Sequence, residues 1–405
     1  MGNISKQPTA PIHVLEVIGN AITGGMETSV YRLAQHLPSY GFKITCLAPY
    51  ESAYTSKLRA LGCDVFVTQM DINPPWRSLQ FAAEIALHNQ VDLIHANLPR
   101  AHALAGIVGK LTDKPVVATI HGMDLTIEDL SIANMTGSHL IVVCQAAYAQ
   151  ALALGIPPNR CALIPNGVDI RAFHPEQRDP GFRRKIGVPK SAPLVGFVGR
   201  IDPEKGPDLF IQLARHIHHQ QPHVHFAMVG NGHRLEEIQN MILDEDLTKV
   251  VHLYPPTDEI ASIYPSFDVL ALTSRVEGMP LVLLEAMACS VPTAALAVGG
   301  VAEIIEVGSS GLLAAPGDWM GLAEAVITLL ADPKRRIGMG EAARKRVEDI
   351  FDLSKTIRDT ATTFRKLVFS SSEKVNGISS QWEVAQKTSP EMSMKPLPNP
   401  VKKDD

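Results

Sequence analysis

Apolar runs rich in β-branched residues alternate with helical patterns along most of the chain. IHVLEVI (12–18) predicts a strand, and a glycine turn separates it from the helical stretch METSVYRLAQHL. KITCLA (43–48), DLIHA (92–96), PVVATI (115–120) and LIVVC (140–144) predict further strands. Strands separated by helices imply βαβ units and a parallel sheet. The segment 166–193 is rich in Pro, Gly and charge, and the pattern restarts at LVGFVG (194–199), with strands near 224–229, 249–253, 268–272 and 291–296. Charged helices follow Asp332-Pro333 to about residue 369. From Ser370 the composition turns polar, which predicts a disordered tail.

The expected organisation is an α/β protein of two doubly wound, Rossmann-like domains facing across a cleft. Residues 1–175 form the first domain, 176–193 the linker, 194–369 the second domain and 370–405 the tail. The last helix before the tail is expected to pack back on the first domain. Parallel sheets bind ligands at the carboxyl ends of their strands, so the loops that end strands are the candidates for chemistry.

Composition narrows the class. The 405 residues are 45% hydrophobic and 20% charged, with a net charge of −5, as in an ordinary soluble globular chain. No basic block suggests a nucleic-acid partner. The five cysteines are scattered with no CxxC, which fits buried reduced thiols and a cytoplasmic location. MGNISKQPTAP lacks the apolar stretch of a secretion signal, and Lys6 stands where N-myristoylation requires Ser or Thr.

Three strand-ending loops carry candidate chemistry. Gly24 and Gly25 leave the backbone bare ahead of a helix, where N–H groups and the helix dipole favour an anion; a plain tight turn is the alternative. Arg200 follows the strand LVGFV and a glycine, and Lys205 precedes Gly206 and the next helix, so the two cations are placed to clamp a diphosphate. EGMPLVLLE places Glu277 and Gly278 in a loop and Pro280 at a helix start. Glu285 then lies inside that helix, the only charged residue between Gly278 and Ala302. A carboxylate in such apolar surroundings requires a partner, either structural or a ligand.

Six segments, in this order, resemble the retaining GT-B glycosyltransferases of family 4: GGMETSVYRLAQHLPSYGFKITCLAP, ATIHGMD, IPNGVDIRAFHP, GFVGRIDPEKGPDLFIQLA, EGMPLVLLEAMACSVPTAALAVGGVAEII and GLLAAPGD. The resemblance covers residues 12–369. It implies that Glu277 binds donor-sugar hydroxyls, Glu285 the ribose, and Arg200 and Lys205 the diphosphate. It places His121 across the cleft near the donor sugar, and Gly24 and Gly25 near the phosphate or acceptor. The backbone N–H groups of Leu281 and Val282 would join the phosphate cradle, with Gly278 in the same donor site. The implied reaction moves a hexose from a UDP- or GDP-sugar to a glycan or lipid-linked acceptor. No cofactor and no metal are implied, and no DxD stands in the expected context. Cys144 and YPPTDEI (254–259) depart from the family pattern, the second leaving the base open.

Other readings are weaker. A sugar epimerase of similar fold, or a nucleotide-sugar-binding protein without transfer, remains as an alternative. A glycosidase would need neither Arg200 and Lys205 nor the glycine loops. The histidines of RHIHHQQPHVHF point to a surface helix end rather than zinc, and the helix of DPKRRIGMGEAARKRVEDIF to a solvated face, or to peripheral contact at the inner membrane face if the acceptor is a lipid. Arg100 and His102 are candidates for acceptor contact.

Overall fold

The computed structural model describes residues 10–22, 24–175 and 181–388, of which 371–388 are described by their backbone alone. Seven parallel strands form the first sheet: β1 (Ile12–Ile18), β2 (Phe42–Ala48), β3 (Asp64–Val67), β4 (Leu93–Asn97), β5 (Val116–Ile120), β6 (His139–Val142) and β7 (Cys161–Leu163), in the order β3-β2-β1-β4-β5-β6-β7. Six form the second: β8 (Leu194–Val198), β9 (His225–Val229), β10 (Val251–Tyr254), β11 (Val269–Leu272), β12 (Thr293–Leu296) and β13 (Gly311–Ala314), in the order β10-β9-β8-β11-β12-β13. Every strand pairing among the described residues is parallel, and helices cover both faces of each sheet. That is why β1 and β11 are buried at every position; β11 reads as a continuous apolar run, and β1 as one broken by His13 and Glu16.

Strand order reverses between β1 and β4 in the first sheet, and between β8 and β11 in the second. The loops that end these four strands, where doubly wound sheets open their binding crevice, carry the candidate residues other than His121, which follows the neighbouring β5. The helix Leu353–Thr388 returns to the first domain. There Phe364 packs edge-on against Phe42 (6.2 Å between centroids) and against the His95 ring (5.1 Å). Leu353, Ile357, Ala361 and Phe364 share one buried cluster with Val14, Ile18 and Ile44.

Some expectations need correction. The last helix runs past Ser370, where a disordered tail was expected, and reaches Thr388; no proline interrupts it before Pro390. Residues 389–405 lie outside the described residues, as does the linker segment 176–180. The helix of EGMPLVLLE starts at Leu281 with Pro280 as its N-cap, one position later than the sequence suggested. Helix Pro333–Ile350 is no mere solvated face. Arg344 donates to the carbonyls of Ala288 (2.5 Å), Phe173 (2.6 Å) and Ile170 (3.1 Å), and Arg346 to those of Ile304 (2.6 Å) and Glu303 (2.9 Å), satisfying carbonyls at helix ends and chain turns. Among the described residues no helix is long and apolar enough to cross a membrane.

Candidate functional site

Two loops of the second domain meet at the carboxyl ends of β8 and β11. Lys205 Nζ lies 2.7 Å from Glu277 Oε1, and the Ser274 hydroxyl donates to the same oxygen at 2.7 Å. The loop holding Lys205 can come this close because residue 206 is glycine. Its φ is +59°, and a Cβ there would stand 2.1 Å from the Thr273 carbonyl oxygen. Arg200 is exposed, its Nη1 2.8 Å from Asp202 Oδ2. Asp202 also accepts from the His233 backbone N–H at 2.9 Å, and these donors hold its carboxyl below the usual range against the opposing effect of burial. The first-turn N–H groups of Leu281 and Val282 belong to the helix Leu281–Ala288, which starts three residues beyond Gly278.

The first domain closes against this loop. A Cβ on Gly278 would lie 2.1 Å from the carbonyl oxygen of His121, so Gly278 is explained by close approach of the two domains. Asn166 Nδ2 donates to the Met279 carbonyl at 2.9 Å across the same seam. The backbone of His121 thus meets Gly278, the residue that follows Glu277. Burial pushes the His121 imidazole down to about 3, helped by nearby His95, so the ring is neutral at physiological pH.

Glu285 is 7% exposed, and its carboxylate is held by protein. Arg32 Nη2 donates to Oε1 at 2.8 Å from the opposite domain, and the Tyr264 hydroxyl to Oε2 at 3.0 Å. Arg32 itself is fixed by a bond to the Gly167 carbonyl at 3.1 Å. Burial raises the Glu285 carboxyl, while Arg32 and Tyr264 pull it back. The partner that the lone acid required is therefore a structural one. A carboxylate has about four acceptor positions and two are used here, so contact with a ribose relies on those left over.

Gly24 N-caps the helix Gly25–His36, and Gly25 opens it. The sequence reading passed over Glu27 in that helix's first turn. It is 4% exposed, and burial pushes its carboxyl up to about 7, although Arg200 across the cleft and Asn20 draw it down. The available signal was an acid at a helix start next to two glycines, which reads as an ordinary cap. A raised folded-state value means that folding binds a proton between about 4.5 and about 7. Stability should therefore fall by about 3 kcal/mol as pH rises through that interval. Melting curves of Glu27→Gln should lack this slope; an unchanged pH profile would remove Glu27 from the account.

His102 does not face the cleft. It is buried, with Nδ1 3.1 Å from Asp129 Oδ1, and is no acceptor contact. Arg100 is exposed beside the ends of β1 and β4, and with Asp71, Ile72, Pro99 and Glu128 it lines a cavity of about 300 Å³. The histidines of 216–225 scatter as expected: His216 meets Glu324 (3.0 Å) and His225 stacks on His252. Cys144 lies in the core of the first domain, with Cys46 and Cys161 also buried there and Cys289 buried in the second.

Residues 23–172 match the Glycosyltransferase Family 4 model, and residues 179–346 match the Glycosyl transferases group 1 model. The chain is 28% identical to the D-inositol 3-phosphate glycosyltransferase of Kineococcus radiotolerans, over 86% of this chain and 92% of that one. It is 26% identical to the N-acetyl-alpha-D-glucosaminyl L-malate synthase of Bacillus anthracis, over 70% and 76%. Anabaena Alr3699/HepE in complex with UDP-glucose superposes with a TM-score of 0.79 at 23% identity, covering 88% of this chain and 100% of that chain. A glycosyltransferase from Rickettsia africae ESF-5 gives 0.79 at 19% identity, covering 88% and 99%. With both domains matched in sequence and the GT-B architecture shared, the chain is an enzyme of the family 4 glycosyltransferases.

Proposed function

We propose that the enzyme transfers a hexose from a UDP- or GDP-sugar to a hydroxyl of a glycan or glycolipid acceptor, with retention of configuration and without a metal. The observation that carries this reading is the Lys205–Glu277 pair, 2.7 Å apart at the mouth between the two domains and next to the start of the helix Leu281–Ala288. Glu277 accepts from donor-sugar hydroxyls. Lys205, Arg200 and the N–H groups of Leu281 and Val282 take up the charge that grows on the departing diphosphate as the sugar becomes oxocarbenium-like. Preorganised donors aimed at developing charge supply a large share of catalysis in sites of this kind. The leaving phosphate oxygen accepts the acceptor's proton on the face from which the acceptor attacks, which preserves the anomer. Glu285 contacts the ribose through its remaining acceptor positions.

The relatives are named for an inositol phosphate and a malate, both anionic. Here the cavity beside Arg100 is lined by two carboxylates and one guanidinium, which suits a neutral polyhydroxyl acceptor better.

The test is a thermal-shift panel of UDP-glucose, UDP-N-acetylglucosamine, GDP-mannose and ADP-glucose. Consumption of the stabilising donor is then followed by NMR with and without EDTA. One donor should raise the melting temperature, turn over equally in EDTA, and give product with the donor's anomeric configuration. Glu285→Gln should weaken nucleotide binding. If no nucleotide sugar stabilises the protein or is consumed, the reading fails.

A further inference from the structure

Beneath His121 a chain of buried polar side chains crosses three strands. His121 Nε2 lies 2.8 Å from Asn97 Oδ1, and Asn97 Nδ2 lies 2.5 Å from Glu16 Oε1. The other Glu16 oxygen lies 2.8 Å from His95 Nδ1, and His95 Nε2 lies 2.7 Å from the Thr119 hydroxyl. Glu16 in β1 pairs directly with His95 in β4, and Asn97, two residues on, points to the same face. Glu16, His95, Asn97 and Thr119 are buried, and Phe364 of the returning helix covers the His95 ring.

The order of donors along this chain is forced. A carboxylate only accepts, so Asn97 must turn its NH₂ toward Glu16 and its carbonyl oxygen toward His121. That oxygen only accepts, so the His121 proton must sit on Nε2. Nδ1 is left with its lone pair, and among the described residues it has no hydrogen-bond partner. We infer that Glu16, acting through Asn97, is a positioning residue that holds His121 as the Nε2–H tautomer, so that the free Nδ1 accepts a hydrogen bond from a donor-sugar hydroxyl. This rests on the proposed place of His121 beside the donor sugar. Nothing in the established family membership requires a carboxylate inside β1.

The test is Glu16→Gln, which keeps the shape but lets the residue either donate to or accept from Asn97. In protein labelled with ¹⁵N-histidine, His121 of the unaltered chain should show the Nε2–H pattern in ¹⁵N–¹H correlation spectra, assigned by comparison with His121→Ala. The variant should show a mixture of tautomers, and kcat/KM for UDP-glucose turnover should fall about tenfold, the size of one hydrogen bond. Glu16→Asp should recover part of both. An Nδ1–H tautomer in the unaltered protein overturns the inference. So does a variant whose tautomer is unchanged, or one whose tautomer changes while kcat/KM does not. A different result, His121→Ala with full activity, would instead remove His121 from the donor site, and total absence of UDP-glucose turnover would count against that donor; the tautomer measurement decides the relay in either case.

Discussion

Arg32→Met should destabilise the protein by about 3–5 kcal/mol, the range found when one partner of a buried ion pair is removed. The side chains of Arg32 and Glu285 are 10% and 9% exposed, and they join helices from different domains. Methionine leaves the carboxylate buried with only the Tyr264 hydroxyl for company. Glu285 then gains a proton more readily, and the loss should be smaller at pH 5 than at pH 8. The sign follows from linkage: a carboxyl raised further in the folded state favours folding at low pH and loses that contribution as pH rises. The double variant Arg32→Met/Glu285→Gln should regain more than half of the loss, because no charge remains to be stranded. Urea unfolding at the two pH values measures this. A single variant within 1 kcal/mol of the parent would mean that the pair is open in solution.

Lys205→Ala should lower kcat by about 10²–10³, the effect of deleting one charge-stabilising donor, with a much smaller change in donor affinity. Lys205 carries three donors and spends one on Glu277, so two remain for phosphate oxygens. In the proposed reaction its contribution is largest when the bond to the sugar is breaking, because only then does the diphosphate carry its full charge. Steady-state kinetics with the donor identified by the panel measures the split. A variant with unchanged kcat and a raised KM would assign Lys205 to ground-state binding and remove it from the chemistry.

The parallel sheets and the position of the cleft were legible in the sequence because continuous apolar strands and strand-ending glycine loops are local signals. β3, β7 and β13 were missed; each is three or four residues long, and β3 begins with Asp64. The partner of Glu285 was not legible. Its need for one followed from the apolar run around it, but Arg32 is 253 residues away and reads as an ordinary polar position on an amphipathic helix. The relay was visible only in part. His13 and Glu16 interrupt IHVLEVI and were absorbed into a strand, although a buried acid in a two-sided strand raises the same question as Glu285. Arg344 and Arg346 were taken for surface charges because nothing local tells a solvated guanidinium from one that caps distant carbonyls.

The chain passes between its lobes twice, and the two passages are laced to each other. Val168 donates to the Phe351 carbonyl at 2.9 Å, and Leu353 donates back to the Val168 carbonyl at 3.0 Å. Two tethers pinned at one point act as a single hinge. Gaping about that pin leaves both bonds intact, whereas sliding or twisting one lobe past the other must break them. Residues far from the pin sweep the widest arc. The Lys57–Asp258 contact, 2.6 Å across the gap and exposed, is free to part without disturbing any core.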